Sequence, residues 1–254
     1  MLLTLYLAVV NPSLLKIRLK DAYLFVGTGI LSIVFFNWCY FTAIKEVSLS
    51  IAVMLLYTGP AFVILLSRIF FKEYLNTFKV SALILTAIGC ILVIQLFPLA
   101  DKSISLFGVL VGLGSGFGYA LYSIFGKLAL NKYSTLTIIT YTFVFASAAL
   151  IPVSGITIER SLLLSKEVWW SVIGLGLLPT ALAYLLYTKG LSMIESGKAS
   201  ITATMEPVVA TAIGVFVFGE LLTGFQIFGI ILIIAAVIIL QWSKKENKKT
   251  PRIV

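Results

Sequence analysis

The sequence predicts an all-α integral membrane protein made of two inverted copies of a five-helix unit. Three observations predict it. Of 254 residues, 60% are hydrophobic and 11% charged, with a mean hydropathy of +1.10; a soluble domain of this size needs a far more charged surface. The apolar residues also fall in long, nearly uncharged runs, and a bilayer-spanning helix needs about 20 such residues. Finally, Pro60 and Glu73 are spaced like Pro207 and Glu220, and an offset of 147 relates the two pairs. The same gapless offset matches Tyr40 to Tyr187, Ala52 to Ala199, Phe71 to Phe218, Leu75 to Leu222 and Phe78 to Phe225.

In chain order the expected spans are 22–44, 48–71, 79–97, 106–130, 134–153, 168–192, 198–219 and 224–242, with a short, weak ninth at 1–15. Their continuous apolar character, without alternation, selects helices over a barrel. The first carries Asn37, Trp38, Tyr40 and Thr42 in its outer half, and the second and seventh each hold a helix-interior proline. The longest loop runs from Ser154 to Glu167, which leaves no room for a soluble domain. Trp169, Trp170 and Trp242 stand at span ends, where indoles anchor the membrane interface.

Residues 106–242 hold five spans, and an odd number inverts a second copy relative to the first. The units are therefore residues 1–97 and 106–242, followed by a basic tail at 243–254. Subtracting the offset puts the partner of span 106–130 about 41 residues before Met1. A fragment, a late start codon and a shortened variant are the alternatives. With the C-terminus cytoplasmic, 15 of the 19 Lys and Arg lie on the inner side and four on the outer. That asymmetry is the positive-inside rule, so the net charge of +9 implies membrane topology and excludes a nucleic-acid role.

Cys39 and Cys90 have no metal-binding spacing, and histidine is absent. A membrane enzyme would need clustered carboxylates for a divalent ion or a His/Glu pair. No catalysis, metal or cofactor is expected.

Several constellations are candidates for function. Gly108, Gly112 and Gly116 form a small-residue ladder that permits close helix approach. Tyr119 and Tyr122 lie on the same arc, and hydroxyls there need partners or a wet cavity. Glu206 sits in mid-span directly before Pro207. Placing an ionisable group at that depth costs about 2.5–3.5 kcal/mol on insertion scales, which suits a proton-coupling carboxylate or a partner for a cationic group. Ordering the core is the alternative, and the first copy has Gly59 in its place. Glu73 and Glu220 stand at helix ends, where capping or local pairing is the simpler role. Lys127 and Lys189 are placed to snorkel from inner helix ends. Tyr57, Tyr184 and Tyr187 add hydroxyls to an aromatic pocket suited to small amphipathic solutes.

The segments LLYTGPAFVILLSRIFFKE (55–73), TATMEPVVATAIGVFVFGE (202–220) and LFGVLVGLGSGFGYALYSIFGK (106–127) give the chain a resemblance to the drug/metabolite transporter superfamily, in its EamA-type branch. The resemblance implies ten helices as two inverted five-helix repeats, of which about nine are present, with cytoplasmic termini in the cell membrane. It puts Glu206 and Pro207 at the family's Glu-Pro position, and Glu73 and Glu220 at its helix-end glutamates. It also implies export of amino acids or related metabolites. The expected protein is a secondary transporter whose midplane cavity holds Asn37, Trp38, Tyr57, Tyr119, Tyr122, Tyr184 and Glu206. The alternative is a truncated, non-transporting scaffold that pairs with a complete partner.

Overall fold

The computed structural model of the protein describes residues 3–4, 7, 11–95, 105–153, 165–219 and 221–246. Every regular element among them is helical. Hydrocarbon offers no partner for backbone N–H and C=O groups, so each segment satisfies its own. Six helical stretches are long and apolar enough to cross a bilayer, and Thr77–Val93 and Gly224–Leu240 are shorter apolar helices. Together these cover the eight stronger expected spans. The ninth falls largely outside the described residues, and its described end is a single 3-10 turn at Pro12–Leu15. Glu220 and the tail from 247 onward also lie outside them, as do the side chains of 241–246.

Helix α1 comprises Ala22–Val26, a wide π-helical stretch at Gly27–Val34, and Phe35–Glu46. Then come α2 (Leu49–Leu56), α3 (Gly59–Phe71), α4 (Thr77–Val93), α5 (Leu106–Leu130) and α6 (Thr135–Val153). Helix α7 again contains a π stretch, Gly176–Leu182, between Lys166–Leu175 and Ala183–Met193. The last are α8 (Ser196–Ala203), α9 (Glu206–Phe218) and α10 (Gly224–Glu246).

Spans 48–71 and 198–219 are each two helices, which corrects the expectation of helix-interior prolines. Pro60 and Pro207 stand in the first two positions of α3 and α9. A proline has no N–H to lose there, and its fixed φ starts a helix well. Shifted by 147, the bounds of α2 fall on those of α8, and those of α3 on those of α9. The left-handed residues closing α3 and α9 correspond too: Lys72 at φ 54° and Gly219 at φ 70°. Glycine adopts that conformation freely, whereas a side chain makes it strained.

The chain folds into two compact units, Met1–Phe35 with Leu121–Ile194, and Phe36–Ala120 with Glu195–Val254. In the first, Leu24, Phe25, Ala129 and Ile138 form a core that Tyr133, Tyr141 and Phe145 cover. A Cβ on Gly29 would lie 2.6 Å from the Thr142 carbonyl, so α1 and α6 touch backbone to backbone. The Thr142 hydroxyl donates to Thr28 at 2.6 Å beside it. Asp21 accepts from Lys132 at 2.5 Å and Tyr133 at 2.7 Å, pinning the start of α1.

In the second unit, α4 and α10 make the most extensive helix pairing. Their closest approach is at Gly89 and Gly229, where a Cβ on either would meet the other's carbonyl oxygen, at 2.8 and 2.7 Å. Ile64, Ala82, Ile201, Ala236 and Leu240 form the core next to it. Outward faces are bare and apolar in both units, as at Ile69, Ile151, Leu178 and Phe216. Surfaces of that kind are what lipid covers in a membrane protein.

Candidate functional site

The interruptions of the two broken helices converge within the second unit. Leu56 and Tyr57 end α2, and Ala203 and Thr204 end α8. Together with Pro60, Tyr119 and Glu206 they line a small cavity of about 30 Å³. Interrupted helices of this kind are how membrane transporters bring polar backbone to mid-membrane depth. Thr58 and Thr204 turn their hydroxyls back onto the Leu55 and Ile201 carbonyls, at 2.6 and 2.5 Å. These bonds satisfy backbone acceptors at the breaks.

Glu206 opens α9, where the helix dipole favours an anion. Its side chain is exposed to the cavity region rather than sealed in the core. Among the described residues no Lys or Arg forms an ion pair with it. The carboxylate is therefore available to a solute or a proton.

Gly59, 147 residues before Glu206, has a packing reason for its lack of a side chain. A Cβ there would meet the Tyr119 ring at 2.8 Å and the Gly116 carbonyl at 3.3 Å. The glycine ladder on α5 has the same character. A Cβ on Gly108 would meet Val47 at 2.7 Å, one on Gly112 would strike Leu55, and one on Gly116 would meet Thr58 at 2.6 Å. The ladder seats α5 directly against the break after α2.

Of the expected cavity residues, Tyr57, Tyr119 and Glu206 come together at this cavity. Asn37 lies half-buried on α1 and is not among the lining residues. Trp38 is 57% exposed on the same helix, facing outward. Adjacent residues on a helix point about 100° apart, so Asn37 and Trp38 cannot share one face. Tyr122 and Tyr184 belong to the first unit. There the Tyr122 hydroxyl is paired with Thr188 at 2.6 Å, and its ring meets Tyr184 edge-on at 4.9 Å. Ser123 and Tyr187 form a second hydroxyl pair at 2.6 Å. Lys127, expected to snorkel, instead donates to the Leu191 and Ile194 carbonyls at 2.6 and 2.7 Å and so caps the end of α7.

Sequence reasoning did not find the partners of Glu73. Its carboxylate accepts from the backbone N–H of Ser196 at 2.8 Å and of Gly197 at 3.4 Å, at the start of α8. Lys79 pairs with Glu73 at 3.5 Å and with Glu195 at 2.8 Å, and Lys198 also reaches Glu195 at 3.5 Å. The Lys79 side chain is only 4% exposed and that of Glu73 9%. The local signal was the Glu73–Lys79 spacing, but the α8 contact spans 123 residues.

Partial burial pushes the Glu195 carboxyl up, but the Lys79 hydrogen bond and the charges of Lys79 and Lys198 outweigh it, leaving the group below its ordinary value. A depressed carboxyl stabilises the fold above its unfolded pKa and stops doing so as pH falls through the folded value. Thermal melts in detergent should therefore show stability lost below pH 4.5, the ordinary glutamate value. In Glu195→Gln that part of the pH dependence should disappear.

The EamA-like transporter family model matches residues 1–95 and 106–242. An uncharacterized transporter of Archaeoglobus fulgidus is 35% identical over 202 residues, covering 79% of this chain and 70% of its own length. The threonine/homoserine exporter RhtA of Salmonella typhimurium is 30% identical over 207 residues, 79% of this chain and 65% of its own. A solved crystal structure shares the fold, with a TM-score of 0.79 over 97% of this chain and 84% of its own, at 17% identity. Paired family matches over nearly the whole chain, and a relative at this identity, make it a multi-pass membrane protein of the EamA-like transporter family.

Proposed function

We propose that the protein is a secondary exporter of small metabolites of the amino-acid class, working by alternating access in the cell membrane. The observation that carries this reading is the Glu206 carboxylate, unpaired among the described residues, at a cavity formed where two interrupted helices end. Uncommitted carboxylates at membrane depth are costly and mark solute or proton pathways. Glu206 is the coupling group in this reading, exchanging a proton as the solute binds and leaves. The recurrence of helix bounds at one offset supports two copies, 1–97 and 106–242, related as inverted repeats. The basic residues at 243–254 support a cytoplasmic C-terminus. The threonine/homoserine exporter among the relatives supports the substrate class.

The test is counterflow in proteoliposomes loaded with threonine, homoserine and a panel of other small amino acids. Saturable exchange of at least one, accelerated by an imposed pH gradient, is the expected result. No exchange of any member by monodisperse, folded protein would overturn the substrate class.

A further inference from the structure

The charged cluster around Glu73 lies at the opposite end of α8 from the cavity, and the proposed transport chemistry does not use it. Its position is specific. Helix α3 begins at the cavity and ends just before Glu73, while α8 begins at Ser196, under the Glu73 carboxylate, and ends at the cavity. The two helices therefore run antiparallel along each other, with the cavity at one end of the pair and the cluster at the other. At 1.5 Å per residue, the eight residues of α8 separate the two ends by about 12 Å.

We propose that Glu73 and Lys79 are positioning residues for transport: together they latch α8 to the end of α3, close that end of the pathway, and release α8 in each cycle. The inference rests on the alternating-access reading given above. Four features distinguish a latch from static packing. Glu73 grips backbone, taking two of the four N–H groups that a helix start leaves unpaired, so its hold is on the whole of α8. The grip is close: a Cβ on Gly197 would lie 3.1 Å from Ile64 and 3.6 Å from the Glu73 carboxylate. Lys72, directly before Glu73, holds a left-handed backbone that its copy Gly219 adopts without strain. Such strain persists only where surrounding contacts impose it. Finally, the Ser196 hydroxyl is buried without a hydrogen-bond partner among the described residues. The closed state thus leaves polar capacity unused, and well-packed apolar residues would hold two static helices at least as well as this buried ion pair.

The experiment places a reporter thiol one turn into α8 with Ser200→Cys. Ser200 is fully buried, on the same helix face as Ser196. The native thiols, Cys39 and Cys90, are buried as well. A membrane-impermeant maleimide is applied to intact cells and to inside-out vesicles, with the parent lacking Ser200→Cys as background. Glu73→Gln keeps the shape and removes the charge, and Lys79→Met removes the other half of the pair. Each is expected to raise the labelling rate about tenfold from one membrane face only, the equivalent of one charge-assisted hydrogen bond. The double variant is expected to gain less than the product of the two, because they share the Glu73–Lys79 pair while Lys79 also holds Glu195. Unchanged labelling in folded single variants, or equal acceleration from both faces, would overturn the latch. Should neither variant fold, Glu73→Asp is read against the same two outcomes. The assay needs no solute, so a failed counterflow panel and a failed latch are separate results.

Discussion

Glu206→Gln is expected to lower the initial rate of solute exchange by about 10- to 100-fold while leaving the protein folded. The substitution keeps the volume of the side chain and removes its charge. A hydrogen bond to a charged group contributes about 1.5–3 kcal/mol, which sets the size of the loss. Glu206 is exposed at the cavity and unpaired among the described residues, so no native partner is stranded by the change. Its favourable place at the α9 N-terminus is worth only about 0.3–1 kcal/mol, too little to unfold the protein. The informative reading is the pH profile. If Glu206 carries the coupling proton, the residual exchange of Glu206→Gln is flat with pH; a profile that keeps its pH dependence removes Glu206 from the coupling role.

The largest stability effect is expected at the α4–α10 crossing. Gly89→Ala places its methyl 2.8 Å from the Gly229 carbonyl and 2.7 Å from Ile233. Gly229→Ala places one 2.7 Å from the Gly89 carbonyl and 2.9 Å from Leu92 and Val93. A carbonyl in a packed helix cannot rotate aside, so the helices must part. Overpacking of this kind costs about 1–3 kcal/mol, more than the roughly 1 kcal/mol by which alanine improves helix propensity. Melting temperatures in detergent should fall by about 5 °C for each single change. The double variant should lose less than the sum, because the first methyl already separates the helices. Gly190→Ala is the control: its Cβ meets nothing within 4 Å, and its melting temperature should not fall. Equal losses at Gly89 and Gly190 would show that the close crossing is not what limits stability.

The spans were legible because a bilayer imposes a length and a polarity that few other environments require. The proline-to-glutamate spacing also located the two interrupted helices. What it concealed was the interruption itself. Pro60 and Pro207 were expected inside continuous helices, and yet each begins a new one, since proline suits a helix start as well as it spoils an interior. Tyr57, Tyr119 and Glu206 were recoverable from polarity at depth, a local property. Trp38 was not, because an indole next to Asn37 belongs to another face of the same helix. Tyr122 and Tyr184 carry the polarity of cavity residues, but they spend it on Thr188 and on each other's rings. Glu73 depends on a backbone contact 123 residues away, which no spacing rule reports.

Gly59 and Glu206 stand one 147-residue offset apart, at the starts of helices with matching bounds, and their difference has a consequence. A transporter assembled from two identical subunits would have to accept any substitution twice. A glutamate at this position would then arrive as a facing pair of like charges, and a glycine would leave the cavity with no carboxylate. A single chain that carries both positions is released from that constraint. Here position 206 holds the carboxylate, while position 59 keeps a bare Cα against which the Tyr119 ring packs. Such divided labour is open to a single chain that carries both positions and closed to a homodimer of one unit.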